Sequence, residues 1–116
     1  MSTPDPLVRT RRCDWYTEVT LALPRRRNAL SLAMIDALTA ALQEVAASDA
    51  AGVVLTGEGP VFSSGHDFAD MSGRSYGDMR QLLRRCADMM LLVQQIPQVV
   101  LARVQGPALA AGCQLV

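Results

Sequence analysis

The chain has 116 residues, half of them apolar, which is the length of one globular domain and too short for two. Eleven basic residues balance eleven acidic ones, so no overall field draws the chain to nucleic acid or to an anionic membrane, and an anionic ligand has to be gripped by locally placed charge. The three cysteines, Cys13, Cys86 and Cys113, are odd in number, far apart and without a CxxC, which argues against both a disulfide framework and a zinc site.

Free thiols fit a reducing compartment, and the cytoplasm is the simplest expectation. The opening Met-Ser-Thr-Pro-Asp-Pro lacks the basic start and apolar run of a secretory signal, and no apolar stretch reaches the ~20 residues that span a bilayer. Arg9, Arg11 and Arg12 raise the alternative of a transit peptide and a mitochondrial matrix location, but Asp5, Asp14 and Glu18 interrupt them and serine is scarce.

Residues 7–11 can form a first strand, paired as a hairpin with the next. Residues 17–23 alternate, with Val19, Leu21 and Leu23 on one face and Glu18 and Thr20 on the other, the period of a half-buried strand. Pro24 ends it, Arg25 to Arg27 form a basic loop, and Ser31 is placed to cap a helix reaching about Ala47, with Ile35, Leu38, Leu42 and Val45 on its buried face. Val53 to Leu55 is a short β-branched run that reads as a strand buried on both faces. Gly57, Gly59 and Pro60 mark a loop that continues through Phe62-Ser63-Ser64-Gly65-His66-Asp67 in small residues. A second helix is expected over residues 78–95, with Met79, Leu83, Cys86, Met90 and Val93 on one side and Pro97 as its stop. Residues 99–104 read as another strand, Gly106-Pro107 as a turn, and the small residues from Ala108 to Gly112 lead into a third helix.

This order of elements describes an α/β chain with right-handed βα crossovers around a parallel sheet. Gln114-Leu115-Val116 is uncapped and carries no helix stop signal, so the chain is expected to be a truncated part of a longer domain.

Two small-residue loops each follow an expected strand, and each can present a backbone N–H that no helix turn or ladder satisfies. Two such donors aimed at one point make an oxyanion hole, which suits acyl thioester chemistry because charge grows on oxygen as an enolate or tetrahedral species forms.

Arg27-Asn28-Ala29-Leu30, the run from Gly59 to Asp67, and the run from Val104 to Gln114 resemble the three successive N-terminal motifs of the crotonase, or enoyl-CoA hydratase/isomerase, superfamily. The likeness covers residues 15–116. Within the superfamily the Gly-Pro-Val-Phe-Ser-Ser-Gly-His-Asp and Ala-Ala-Gly-Cys-Gln-Leu-Val segments are particularly similar to the enoyl-CoA hydratase domain-containing protein 3 subgroup and its bacterial relatives. The resemblance implies the N-terminal part of a ββα spiral fold, with residues 1–14 as an extension holding a candidate first strand and 15–116 as a partial domain. It implies an acyl-CoA thioester as substrate, no tightly bound cofactor, no metal and a homotrimer or hexamer.

Residue by residue, it puts the oxyanion donors on the backbone N–H groups of His66 and Ala111. Gly65, His66, Asp67 and Phe68 line the acyl-CoA, and Arg25, Asn28 and Ala29 lie by its phosphates and adenine. Gln114 stands where hydrating members carry a glutamate. An amide cannot accept a proton at neutral pH, so ordinary hydration is not expected; isomerase or thioesterase chemistry, or a non-catalytic CoA-binding or oligomer-forming segment, are the alternatives. On the residues alone, His66 reads as a loop histidine rather than an acid–base group. Asp67 reads equally as a cap or a functional group, the arginines as phosphate contacts or a solvated loop, Met79, Met89 and Met90 as packing, and Cys113 as a small inert side chain.

Overall fold

Alternation and turn chemistry open the structure, a computed structural model that describes residues 5–116; residues 1–4, the start of the expected extension, lie outside the described residues. Strand β1 (Val8–Cys13) runs antiparallel to β2 (Tyr16–Leu21), from Val8 opposite Leu21 to Cys13 opposite Tyr16. The connection is Asp14-Trp15, with Asp14 at φ 54°, a left-handed position that aspartate tolerates. In β2 the period of two buries Thr17, Val19 and Leu21 and leaves the residues between them half-buried. The strand stops at Leu21, two residues short of expectation, because the Leu23 N–H leaves the sheet to donate to Asn28 Oδ1 at 2.9 Å and the chain turns through a 3₁₀ turn at Pro24–Arg26.

Ser31 Oγ accepts the Met34 N–H at 3.1 Å and starts α1 (Leu32–Ala46), which buries Met34, Ile35, Leu38, Ala41, Leu42 and Val45. Each of the larger of these side chains contributes roughly 1.5–3 kcal/mol by leaving water. The helix returns the chain to β3 (Gly52–Gly57), parallel to β2, with Val53 and Leu55 in the core. A long loop and the single turn α2 (Phe68–Met71) then lead to α3 (Tyr76–Gln95), which packs on α1. The last crossover delivers β4 (Val99–Ala102), parallel to β3, and α4 (Ala111–Gln114) follows another loop. The sheet order is β1-β2-β3-β4, so β4 is an edge strand. Among the described residues no helix is long and apolar enough to cross a membrane.

Further expectations need correction. Helix α3 starts two residues early because Ser75 Oγ accepts the Asp78 N–H, and its buried side is Leu82, Cys86 and Met89, rotated from the expected stripe; Leu83 is 46% exposed. The fourth strand ends at Ala102 rather than Val104. After Asp67 the chain forms a helical turn, with the Asp67 carboxylate as its cap accepting the Ala69 and Asp70 N–H groups.

The register assigns the two sheet faces. Thr17, Val53 and Val100 align across one face, as do Val19, Leu55 and Ala102, and this is the face that the helices cover. Arg11, Glu18, Val54 and Leu101 align across the other. There Glu18 accepts from Arg103 at 3.1 Å and from Arg11 at 3.5 Å, beside a cleft of about 890 Å³ lined by Arg9, Thr20, Thr56 and Glu58 among others.

Candidate functional site

The three motif segments meet through backbone bonds. Ser64 N–H donates to Arg27 O at 3.0 Å and Leu30 N–H to Gly65 O at 2.7 Å, so the first segment lies along the second. Phe62 N–H donates to Pro107 O and Leu109 N–H to Ser63 O, both at 3.0 Å, so the third lies along the second from the other side. Buried Ser63 ties all three: its hydroxyl donates to Asn28 O at 2.9 Å and accepts from Gly65 N–H at 3.3 Å. These loops sit past the ends of the parallel strands, where an open α/β sheet holds its ligands.

Gly65 permits a close approach between the second and third segments. Its φ is +92°, and a Cβ there would lie 3.0 Å from Leu109 O, 3.1 Å from Ala110 Cβ and 3.3 Å from Ala111 N. The peptide that joins Gly65 to His66 is therefore pressed against the turn that opens α4. Neither the His66 N–H nor the Ala111 N–H donates a hydrogen bond among the described residues, although their neighbours Gly65, Gly112, Cys113 and Gln114 all do. Ala110, with φ 50° and ψ −122°, occupies a region that glycine normally takes at a type II′ turn. Its backbone carries strain of the order of 1–3 kcal/mol, a feature that concentrates at functional sites.

Arg25, Arg26, Arg27, Ala29, His66, Asp67 and Phe68, all but Arg26 and Arg27 expected as ligand-lining residues, border one open cleft of about 400 Å³. Phe68 is 82% exposed there. His66 Nδ1 is buried without a hydrogen-bond partner among the described residues. Arg26 makes a bidentate contact to Asp67, 3.0 Å to Oδ1 and 2.8 Å to Oδ2, so Asp67 serves at once as helix cap and as ion-pair partner. The sequence showed a basic loop and an Asp after a glycine turn, but not that they would pair.

Four expected residues, Asn28, Gly65, Ala111 and Gln114, are not among those that line this cleft. Asn28 is fully buried, its Oδ1 accepting from Leu23 N–H and its Nδ2 donating to Glu58 O and Val61 O at 3.0 Å, so its amide is committed to the loops and unavailable to a ligand. Gln114 is exposed and borders a separate cavity of about 170 Å³ between α3, β4 and α4. Sequence reasoning also missed Ser63 and Asp70. The Asp70 carboxylate accepts the Leu32 N–H at 2.9 Å and pairs with Arg74 at 3.2 Å, which joins α2 to the start of α1. The Leu32 N–H, more than the Arg74 charge, holds the Asp70 carboxyl below the usual carboxylate range.

The arrangement is a mixed sheet whose two glycine- and alanine-rich loops meet at one junction beyond the strand ends. The family model for enoyl-CoA hydratase/isomerase matches residues 16–116, and the chain belongs to that family. Among relatives, the mitochondrial enoyl-CoA hydratase domain-containing protein 3 of Rattus norvegicus is 42% identical over 112 residues, 95% of this chain and 37% of that protein. The crystal structure of the human enoyl-CoA hydratase domain-containing protein 3 matches with TM-score 0.87 and 36% identity, over 94% of this chain and 44% of that one. That of an enoyl-CoA hydratase from Mycobacterium smegmatis matches with TM-score 0.92 and 40% identity, over 96% and 44%. The fold is thus that of the N-terminal part of crotonase-type domains, and the chain spans less than half the length of the relatives it matches.

Proposed function

We propose that the chain binds an acyl-CoA thioester, with the N–H groups of His66 and Ala111 donating to the thioester carbonyl oxygen. The observation that supports this reading is that neither amide has an acceptor among the described residues, at a junction where a Cβ on Gly65 would lie 3.3 Å from Ala111 N. A thioester oxygen gives both donors an acceptor, and an enolate oxygen, which carries more charge, gains more. Arg25 and Arg27, which share the cleft with His66 and have no ion-pair partner among the described residues, meet the phosphates of the CoA moiety. Phe68 lies alongside as an apolar wall.

Gln114 sets the limit of the chemistry. Its amide orients a water or an acyl group but takes no proton, so the site polarises a thioester without ordinary hydration. Family membership supports CoA thioester ligands without a resident cofactor. The animal relatives are mitochondrial by name, which favours the matrix over the cytoplasm for this chain if it is eukaryotic. Assembly as a trimer or hexamer is part of the same proposal.

Calorimetric titration with butyryl-CoA and with its thioether analogue, which lacks the carbonyl, tests the reading. Two neutral hydrogen bonds to the carbonyl give the thioester about a tenfold advantage. Equal affinities would remove the oxyanion role, and absence of binding by both would remove the CoA site.

A further inference from the structure

The direction of a peptide N–H is set by whatever binds the carbonyl of the same peptide. The Gly65–His66 peptide is trans and its C=O accepts the Leu30 N–H at 2.7 Å, so the His66 N–H points the opposite way, away from the first segment. Gly65 has no Cβ to restrict the bonds on either side of its Cα. What restrains it is its own N–H, which donates to Ser63 Oγ at 3.3 Å. The Ser63 hydroxyl proton is committed to Asn28 O at 2.9 Å, which leaves the oxygen lone pairs to face Gly65.

The second amide is set from the same residue. The Ala110 C=O accepts the Cys113 and Gln114 N–H groups at 3.0 and 3.2 Å, which directs the Ala111 N–H away from α4. The turn that carries it is seated on Ser63: Leu109 N–H donates to Ser63 O at 3.0 Å, and a Cβ at Gly112 would lie 2.8 Å from Ser63 Cβ. Ser63 is 0% exposed, so it touches no ligand and is packed on every side. Its hydroxyl thus holds the segment that bears one donor, and its main chain and Cβ hold the turn that bears the other.

We propose that Ser63 is a positioning residue for thioester binding, fixing the His66 and Ala111 N–H groups relative to each other so that both meet one carbonyl oxygen. The inference rests on the acyl-CoA reading given above and adds the residue on which polarisation of the carbonyl depends. Donors polarise an oxygen most when they need no reorganisation to reach it. Without the hydroxyl, the Gly65 N–H is released and the glycine is free to turn, so the His66 donor loses its aim. Arg25, in the 3₁₀ turn Pro24–Arg26, keeps its place.

The experiment is calorimetric titration of butyryl-CoA and its thioether analogue into the whole chain, Ser63→Ala, Ser63→Cys and Ile35→Val, with the infrared carbonyl band of bound, carbonyl-labelled butyryl-CoA recorded alongside. Ser63→Ala keeps the Cβ beside Gly112 and removes only the hydroxyl. Ile35→Val removes one buried methylene from the core side of α1 and controls for a general loss of stability. The thioester preference is expected to be about tenfold in the parent and in Ile35→Val and about threefold in Ser63→Ala, the share of one hydrogen bond, while thioether affinity stays within about twofold throughout. The carbonyl band, lowered in frequency by the parent, is lowered less by Ser63→Ala. Should Ser63→Ala fail to fold, Ser63→Cys, whose thiol is a weak donor and acceptor, decides by the same two readouts. A full preference and a full band shift without the hydroxyl overturn the positioning role and leave the acyl-CoA reading standing. An equal fall in thioester and thioether affinity does the same, because it marks a purely structural part for Ser63. No preference in the parent, or no binding by it, overturns the reading of the site and this inference with it.

Discussion

Asn28 has φ 51° and holds three loops with one amide, accepting from Leu23 and donating to Glu58 and Val61. Substitution by alanine removes all three bonds and leaves a Cβ in the left-handed region without the short polar side chain that lets asparagine tolerate it, a combined cost of about 3–5 kcal/mol. Asn28→Gly loses the same bonds without the conformational strain, and urea denaturation should find it about 1 kcal/mol more stable than Asn28→Ala. Equal midpoints for the two variants would show that the backbone at this position relaxes. The Asn-Ala-Leu motif was visible in the sequence, but the role of its asparagine was not, since its partners lie at Glu58 and Val61, 30 and 33 positions away. His66 and Ala111 were named by the resemblance of their segments to the family's motifs, while the residues alone showed only two small-residue loops after strands. Whether their N–H groups find an acceptor depends on where Leu109 and Ala110 come to rest, which no local pattern encodes.

Helix α2 is one turn long, with no buried residue to give it an apolar stripe, which is why periodicity could not reveal it. Its stability comes from its ends. Asp67 caps it and Asp70 reaches out to the Leu32 N–H, one of the donors that the first turn of α1 leaves without an intrahelical partner. Because the Asp70 pKa is lowered in the folded state, first by that N–H and then by Arg74, its contribution is fully present above the unfolded carboxylate pKa near 4 and is lost as pH falls through the lower folded value. Asp70→Ala should cost about 1 kcal/mol at neutral pH, and its deficit relative to the parent chain should shrink as the pH is brought below that window. A deficit that stays constant from neutral pH into the acid range would mean that the carboxylate charge plays no part. Long elements were read well where one rule dominated: Ser31, Ile35, Leu38, Leu42 and Val45 located α1 because a cap and a stripe agree. In α3 the apolar residues are spread around the helix, with Leu83 and Leu91 exposed, and sequence alone could not choose which side meets α1.

The two faces of the sheet are finished differently, and this governs how the molecule behaves in solution. One face is covered by α1 and α3; the other carries Arg9, Arg11, Glu18 and Arg103 in charge pairs, with a cleft running over it. Toward β4 this open face turns apolar. Val99 is 75% exposed and Leu101 63%, and β4 pairs only with β3, so its outer row of N–H and C=O groups has no ladder among the described residues. An exposed apolar edge strand is a template for another strand, and nothing here blunts it: the β4 sequence Val-Val-Leu-Ala has no lysine, no proline and no charge. The chain is therefore expected to self-associate through β4, and Leu101→Lys should weaken that association at least tenfold, since a buried, unpaired ammonium at a strand–strand contact is costly. Leu101 points away from the helices, so the substitution leaves the core and the thermal transition of the dissociated chain nearly unchanged. Sedimentation velocity across a concentration series on both proteins reads the result directly. A parent chain that stays monomeric throughout, or a Leu101→Lys variant that associates as strongly as the parent, would place the contact elsewhere, with the apolar residues of the helical layer, Leu83 and Leu91, as the next surface to alter.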